Sequence, residues 1–122
     1  MKKWLVLVMA IAVHTSVFAE GDAAAGQVLF DKTCGGCHKI GANARSGFGP
    51  QLNGVFGRHA GSTTDYVYSK AMLGSGIVWD TANLTAFIKD PSDVVAGTKM
   101  SFWGMSDQQK IDELLAYLHA NP

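Results

Sequence analysis

The chain has 122 residues, the length of one domain, with ten basic and ten acidic residues and 48% hydrophobic ones. Charged residues make up 16%, against a usual share of about 25%, so a disordered polyelectrolyte is excluded, and no basic stretch tracks a phosphate backbone, which argues against nucleic-acid binding. Two cysteines, three positions apart, exclude a disulfide-rich scaffold.

Lys2 and Lys3 precede an unbroken apolar run, Trp4 to Val13, and Val17-Phe18-Ala19 places small residues where a signal peptidase cuts. Residues 1–19 therefore read as a signal peptide and 20–122 as the mature domain, beginning at Glu20. The run is shorter than the ~20 residues needed to span a bilayer, so no stable membrane insertion is expected once the leader is removed. The alternative is a leader retained as an anchor. Without Lys2 and Lys3, eight basic residues face ten acidic ones, a net charge of −2. All 14 glycines lie in the remaining 103 residues, nearly twice the usual share of about 7%.

Asp22 can cap a first helix that runs through Ala23, Gly26, Leu29 and Phe30 to about Cys34. Between Gly41 and Asp65 no period is visible, and a loop of that length is unusual in a small domain. A short helix from about Ser69 to Leu73 closes on Gly74. Asp80 or Thr81 can cap the next helix, with Leu84, Phe87 and Ile88 on one face; Pro91 predicts its end at Asp90. Ser106 and Gln109 read as a capping box before the last helix, whose stripe is Ile111, Leu114, Leu115 and Leu118. No strand alternates convincingly. Short helices carrying long glycine-rich loops lack a sufficient core of their own, and a large apolar cofactor wrapped by the loops would supply it.

Cys34-Gly35-Gly36-Cys37-His38 names that cofactor. C-x-x-C-H is the attachment pattern of a c-type haem. Two thiols one helical turn apart can each add to a vinyl group of one porphyrin, and the adjacent His38 then lies under the iron. Other readings fit less well. A thioredoxin-like pair wants a preceding strand and a βαβ setting. A structural zinc site wants four ligands, and His14, His59 and His119 form no second pair. A disulfide across two residues stabilises little by loop closure. Export agrees with the haem reading, because such haem is attached outside the bacterial cytoplasm. The pentapeptide leaves the second iron ligand open among Met72, Met100, Met105, His59 and His119. His59 sits in loop beside Arg58, and His119 lies in the last helical turn, where a cation suits the helix dipole.

The chain resembles the class I c-type cytochromes, and most of all mitochondrial cytochrome c and its small periplasmic relatives, from about Gly21 to Ala120. The resemblance is carried in order by Gly26 and Phe30, the pentapeptide, Gly49-Pro50-Gln51-Leu52-Asn53-Gly54-Val55-Phe56-Gly57-Arg58, Tyr66-Val67-Tyr68, Gly76-Ile77-Val78-Trp79, Pro91, Gly97-Thr98-Lys99-Met100 and Leu114-Leu115-Ala116-Tyr117-Leu118. It implies an all-α class I cytochrome c fold with crossed N- and C-terminal helices and loops wrapped around one covalent haem c, held through Cys34 and Cys37. Gly26 would stand at the crossing, with Phe30 against Leu114 and Tyr117. Met100 matches the axial methionine, with Met105 the next candidate. The carbonyl of Pro50 would accept the other N–H of His38. Tyr68 and Trp79 match residues that bond the haem propionates, Arg58 would temper their charge, and Thr98 could donate near the second. Two positions depart from mitochondrial cytochromes: Phe87 stands where a tyrosine reaches the methionine sulfur, and Met72 where an asparagine lies near a buried water.

The implied function is a one-electron carrier and not an enzyme, with both axial positions filled, acting between redox protein partners in a respiratory or photosynthetic chain. A periplasmic monomer is expected. The alternatives are a small c-type haem peroxidase and a haem-based ligand sensor, both of which need a labile sixth position. Lys32 and Lys39 flank the attachment motif and Lys99 adjoins Met100. Together they suggest a weakly positive front, and an electron-transfer rate toward an acidic partner that falls as salt rises.

Overall fold

The computed structural model describes residues 21–122; the expected signal peptide and its cleavage site lie outside them. Helix α1 spans Ala23–Thr33, and the Asp22 carboxylate accepts from the N–H groups of Ala24 and Ala25 at its start. At its other end the Cys34 N–H bonds the Phe30 carbonyl at 2.7 Å, so the first attachment cysteine is the C-cap of the helix. Helix α2, Lys70–Leu73, is capped by the Ser69 side chain on the Met72 N–H and closes on Gly74 as expected. Helix α3, Thr81–Lys89, starts from Asp80, which exchanges bonds with Asn83 in a capping box. Helix α5 spans Gln108–His119.

Two local expectations are corrected. Pro91 was expected only to end α3 at Asp90. It does, but it also begins a further helix, α4, Pro91–Val94. Proline suits the first helical position because that N–H has no partner in a helix anyway, and the Asp90 carboxylate caps the N–H groups of Ser92 and Asp93. The box expected from Ser106 and Gln109 does not form. Asp107 is the cap, accepting from the Lys110 N–H at 3.2 Å, and the Gln109 amide instead donates to Glu113 one turn on.

Helices α1 and α5 cross. A Cβ on Gly26 would run into the Glu113 carbonyl and come within 2.9 Å of the Tyr117 Cβ, so the two backbones touch where a side chain has no room. One turn on, the Phe30 and Tyr117 rings pack at 5.4 Å. The expected stripe of α5 is buried throughout, with Ile111 fully enclosed. Trp79 and Phe87, rings 5.1 Å apart, extend this core toward α3.

Everything from His38 to Ser69 is turn and loop. Among the described residues the extended pairing amounts to one antiparallel bridge, His59 with Val78, flanked by Trp79 N–H to Arg58 carbonyl at 3.0 Å. The loops are held instead by side chains on backbone. Asn53 bonds both the N–H and the carbonyl of Gly41, at 2.9 and 2.8 Å, as a neighbouring strand would. The chain end is pinned by the Asn121 carbonyl on the Gly54 N–H and by the exposed His119 ring stacked 3.5 Å from Phe56.

Candidate functional site

The helices and loops enclose an open cavity of about 430 Å³, within the ordinary size range of cofactor sites. Its inner wall is core: Phe30, Leu84, Phe87, Ile88, Leu114 and Leu118. All nine residues singled out as cofactor-binding in the sequence lie on its surface.

Cys34, half-buried, and Cys37, exposed, reach it from the end of α1, and both are free thiols. Burial, with Cys37 beside it, pushes the Cys34 thiol up to about 11. The disulfide reading is therefore set aside. So is zinc, since no three His, Cys, Asp or Glu side chains cluster among the described residues.

His38 Nδ1 lies 2.7 Å from the Pro50 carbonyl. A carbonyl only accepts, so Nδ1 carries the proton and Nε2 keeps its lone pair for a metal. Burial lowers the pKa of the ring, against the opposing effect of the Pro50 bond and with a smaller push from the Arg58 charge; the imidazole is neutral, the ligating form. Sequence reasoning missed the role of Gly49. A Cβ there would stand 2.6 Å from His38 Cε1, so the glycine gives the ring its place. The signal available was a glycine before the expected Pro50.

Arg58 lines the cavity half-buried, donating to the carbonyls of Asn53 at 3.1 Å and Gln51 at 2.9 Å. Among the described residues the ion pair present is Lys110 with Asp107, so none of their carboxylates pairs directly with Arg58; Asp65 acts on it only from beyond ion-pair distance. Burial lowers its pKa. A cation held against an apolar cavity by backbone carbonyls alone suits a cofactor that carries its own carboxylates. Tyr68 and Trp79 face the same space; the Tyr68 hydroxyl bonds Thr63, and Trp79 is buried.

Met100 reaches the cavity on the loop after α4, where its N–H bonds the Thr98 hydroxyl oxygen at 3.3 Å. Among the other candidate ligands, Met72 also lines the cavity. Met105 does not; it packs against the core with its N–H on the Ile88 carbonyl. His59 and His119 are exposed and away from it. Phe87 and Met72 present no hydroxyl or amide to this side of the site.

The donor set fits a haem: two free thiols and a neutral imidazole from one strand of chain, a thioether from another loop, an apolar wall between them and an unpaired cation at the edge. The comparisons with known proteins agree. The family model for cytochrome c matches residues 23–121. Cytochrome c2 of Blastochloris viridis is 41% identical over 118 residues, 97% of this chain and 92% of that one. Cytochrome c-550 of Nitrobacter winogradskyi is 45% identical over 98 residues, 80% and 89% of the two chains. Among solved structures, cytochrome cH from Methylobacterium extorquens superposes with a TM-score of 0.76 at 43% identity, over 83% of this chain and 100% of that one.

Proposed function

The chain belongs to the cytochrome c family and is a one-electron carrier with a covalent haem c, and we propose that its own residues divide that work as follows. The bound haem supplies the Fe(III)/Fe(II) exchange. Cys34 and Cys37, both free thiols, would hold the haem at the end of α1, each through a thioether made by adding its S–H across one vinyl group. His38 Nε2 and the Met100 sulfur, which line the same cavity, would hold the iron and leave no room there for small ligands. Pro50 fixes the imidazole proton and ring. A methionine and histidine ligand pair would favour Fe(II) and raise the potential over two histidines. Arg58, Tyr68, Trp79 and Thr98, on the same wall, would meet the haem's propionates. The observation that carries this reading is one apolar cavity on whose wall Cys34, Cys37, His38 and Met100 come together.

Export to the periplasm, with residues 1–19 removed, and a monomeric state belong to the same proposal. The bacterial relatives, cytochromes c2 and c-550, support the periplasmic part of it. No described helix is long and apolar enough to cross a membrane. The redox partner is proposed to meet the cavity edge through two aromatic side chains. Phe48, at the cavity mouth, is 88% exposed, and Trp103 is wholly exposed beside Met100 and Phe102. Lys39 and Lys99 are each tied to a backbone carbonyl, Gly35 and Val67, so they reach less far toward a partner than free lysines would. A shallow fall of rate with salt is expected, and a larger loss, about tenfold or more, from Trp103→Ala.

The test of the main reading is the purified holoprotein. Its mass should equal the chain from Glu20 plus one haem that acid-acetone does not extract. The ferric form should show the weak far-red iron–sulfur absorption, lost in Met100→Ala together with the barrier to cyanide. Extractable haem would sink the assignment of Cys34 and Cys37; an unchanged spectrum in Met100→Ala would move the ligand elsewhere.

A further inference from the structure

Two of the side chains assigned to the propionates hold backbone groups: Arg58 donates to two carbonyls, and the Thr98 hydroxyl oxygen accepts from the Met100 N–H. Tyr68 differs. Its hydroxyl lies 2.5 Å from the hydroxyl of Thr63, five residues earlier, and both side chains are half-buried. Tyr68 is on the cavity wall; Thr63 is not, and stands behind it. Tyr66 packs edge-on against the Tyr68 ring, centroids 4.8 Å apart, but its own hydroxyl donates to the Phe48 carbonyl. A hydroxyl has one proton and two lone pairs. Two hydroxyls in contact share one bond, and rotation of both O–H groups reverses its direction. Facing a neutral group, the phenol, the stronger acid, donates to Thr63. Facing an ionised carboxylate it donates there instead, because a charge-assisted bond is the stronger one. The Tyr68 oxygen is then open to the Thr63 O–H. Each oxygen keeps its own proton; only the direction of donation changes.

We infer that Thr63 is a positioning residue for a haem carboxylate: from behind the cavity wall its hydroxyl donates to the Tyr68 oxygen and so aims the Tyr68 O–H at a propionate. The inference rests on Tyr68 meeting a propionate. Backed in this way the phenol O–H is polarised and donates more strongly, and a carboxylate it meets stays ionised to lower pH. The other charges around the pair are Arg58, whose guanidinium interacts with Tyr68, and Asp65, which is bonded to Ser46 and acts on Arg58 from the exposed side. Lys99 stands 5.8 Å from the centre of the Tyr66 ring, and Lys70 is exposed at the start of α2. Substitution at Thr63 leaves all four in place. The arrangement serves the carrier. A negative charge near the iron favours Fe(III), so the reduction potential falls as a propionate ionises. By keeping that group ionised, Thr63 moves the fall below the working pH and leaves the potential steady there.

The test is the reduction potential of the holoprotein, followed by voltammetry across pH, and the readout is the midpoint of its fall. Thr63→Val keeps the shape and removes the hydroxyl. It should raise the proton affinity of the propionate about three- to tenfold, the equivalent of one net hydrogen bond, and move the midpoint up by about half a unit to one unit. Thr63→Ser, which keeps the hydroxyl, should stay with the parent. Tyr68→Phe should raise the midpoint further, and adding Thr63→Val to it should change nothing more, because Thr63 acts only through the phenol. A parent-like midpoint in Thr63→Val, beside a raised one in Tyr68→Phe, overturns the inference and leaves the role of Tyr68 standing. A shift that Thr63→Ser shares with Thr63→Val, or that persists on the Tyr68→Phe background, overturns it too, since the hydroxyl would then only close a turn. A parent-like midpoint in Tyr68→Phe would sink the assignment of Tyr68 to the propionates, and that of Thr63 with it.

Discussion

The crossing of α1 and α5 and the loop wall from His38 to Arg58 solve opposite problems. At the crossing, helix on helix buries a continuous apolar stripe, Phe30 against Tyr117 and Ile111 fully enclosed, with Gly26 removing the last obstacle to contact. The loop wall sends one fully buried side chain into the core, Val55, with Ile40, Leu52 and Phe56 packed partly against it. It is held by single polar bonds, Asn53 on Gly41, Arg58 on Gln51 and Asn53, Ser46 on Asp65. The first region needs only the chain. The second needs what the chain wraps, which is why a family member of this size tolerates so much loop.

The largest effect that would sharpen this contrast is loss of the haem. At about 24 cal/mol per Å³, a cavity of 430 Å³ left unfilled corresponds to roughly 10 kcal/mol, an upper bound because its open side admits water. That rivals the whole stability of a domain. A Cys34→Ala/Cys37→Ala chain is expected to lose its cooperative thermal transition, followed by calorimetry. Native-like hydrogen-exchange protection in residues 38–58 of that chain would erase the contrast.

Gly26→Ala attacks the other region. Its new Cβ meets the Glu113 carbonyl, so the helices must separate. A loss of about 1–3 kcal/mol is expected, or somewhat more, with the haem spectrum unchanged. Guanidinium unfolding of the holoprotein measures it; a parent-like midpoint would show that the crossing is looser than described.

Gly49→Ala acts within the wall on one bond. Its Cβ presses on the His38 ring and turns Nδ1 from the Pro50 carbonyl, at a cost of about 1 kcal/mol. Here the spectroscopic change should exceed the stability change, the reverse of Gly26→Ala. The ferric electron paramagnetic resonance spectrum reports it, and identical signals from parent and variant would contradict the role of Gly49.

The smallest effect is acid. The Ser46 hydroxyl and N–H, with Arg45 nearby, hold the Asp65 carboxyl below its usual range. A carboxylate with a lowered folded pKa adds stability above its unfolded value, near 4, and that contribution is lost as pH falls through the folded value. Amide protection in residues 46–51, relative to the intrinsic exchange rate at each pH, should therefore fall below about pH 4, before the helix crossing responds. Asp65→Asn should show the faster exchange already at neutral pH, and a parent-like Asn variant would argue against the link.

Legibility followed the range of each interaction. Helices α1, α3 and α5 could be read because period and cap lie within one stretch of chain. The cap of α5 fell one residue from its expected place because Ser106 and Asp107 are adjacent oxygen-bearing candidates, and it is the Asp107 carboxylate that accepts from the Lys110 N–H. Helix α4 was missed because Pro91 ends one helix by the same fixed φ that starts the next.

Cys34, Cys37 and His38 follow from sequence alone, since their chemistry needs only neighbouring residues on one turn. The ordered motifs of the resemblance then pointed to Met100, Pro50 and Arg58. Only the folded chain could decide that Gly49 makes room for the His38 ring, that Arg58 hangs from two carbonyls with no ion pair among the described residues, and that Tyr66 faces Lys99. Those contacts join segments far apart in sequence, and no local propensity encodes which loop will lie against which; the shared cavity and the packing around it settle that.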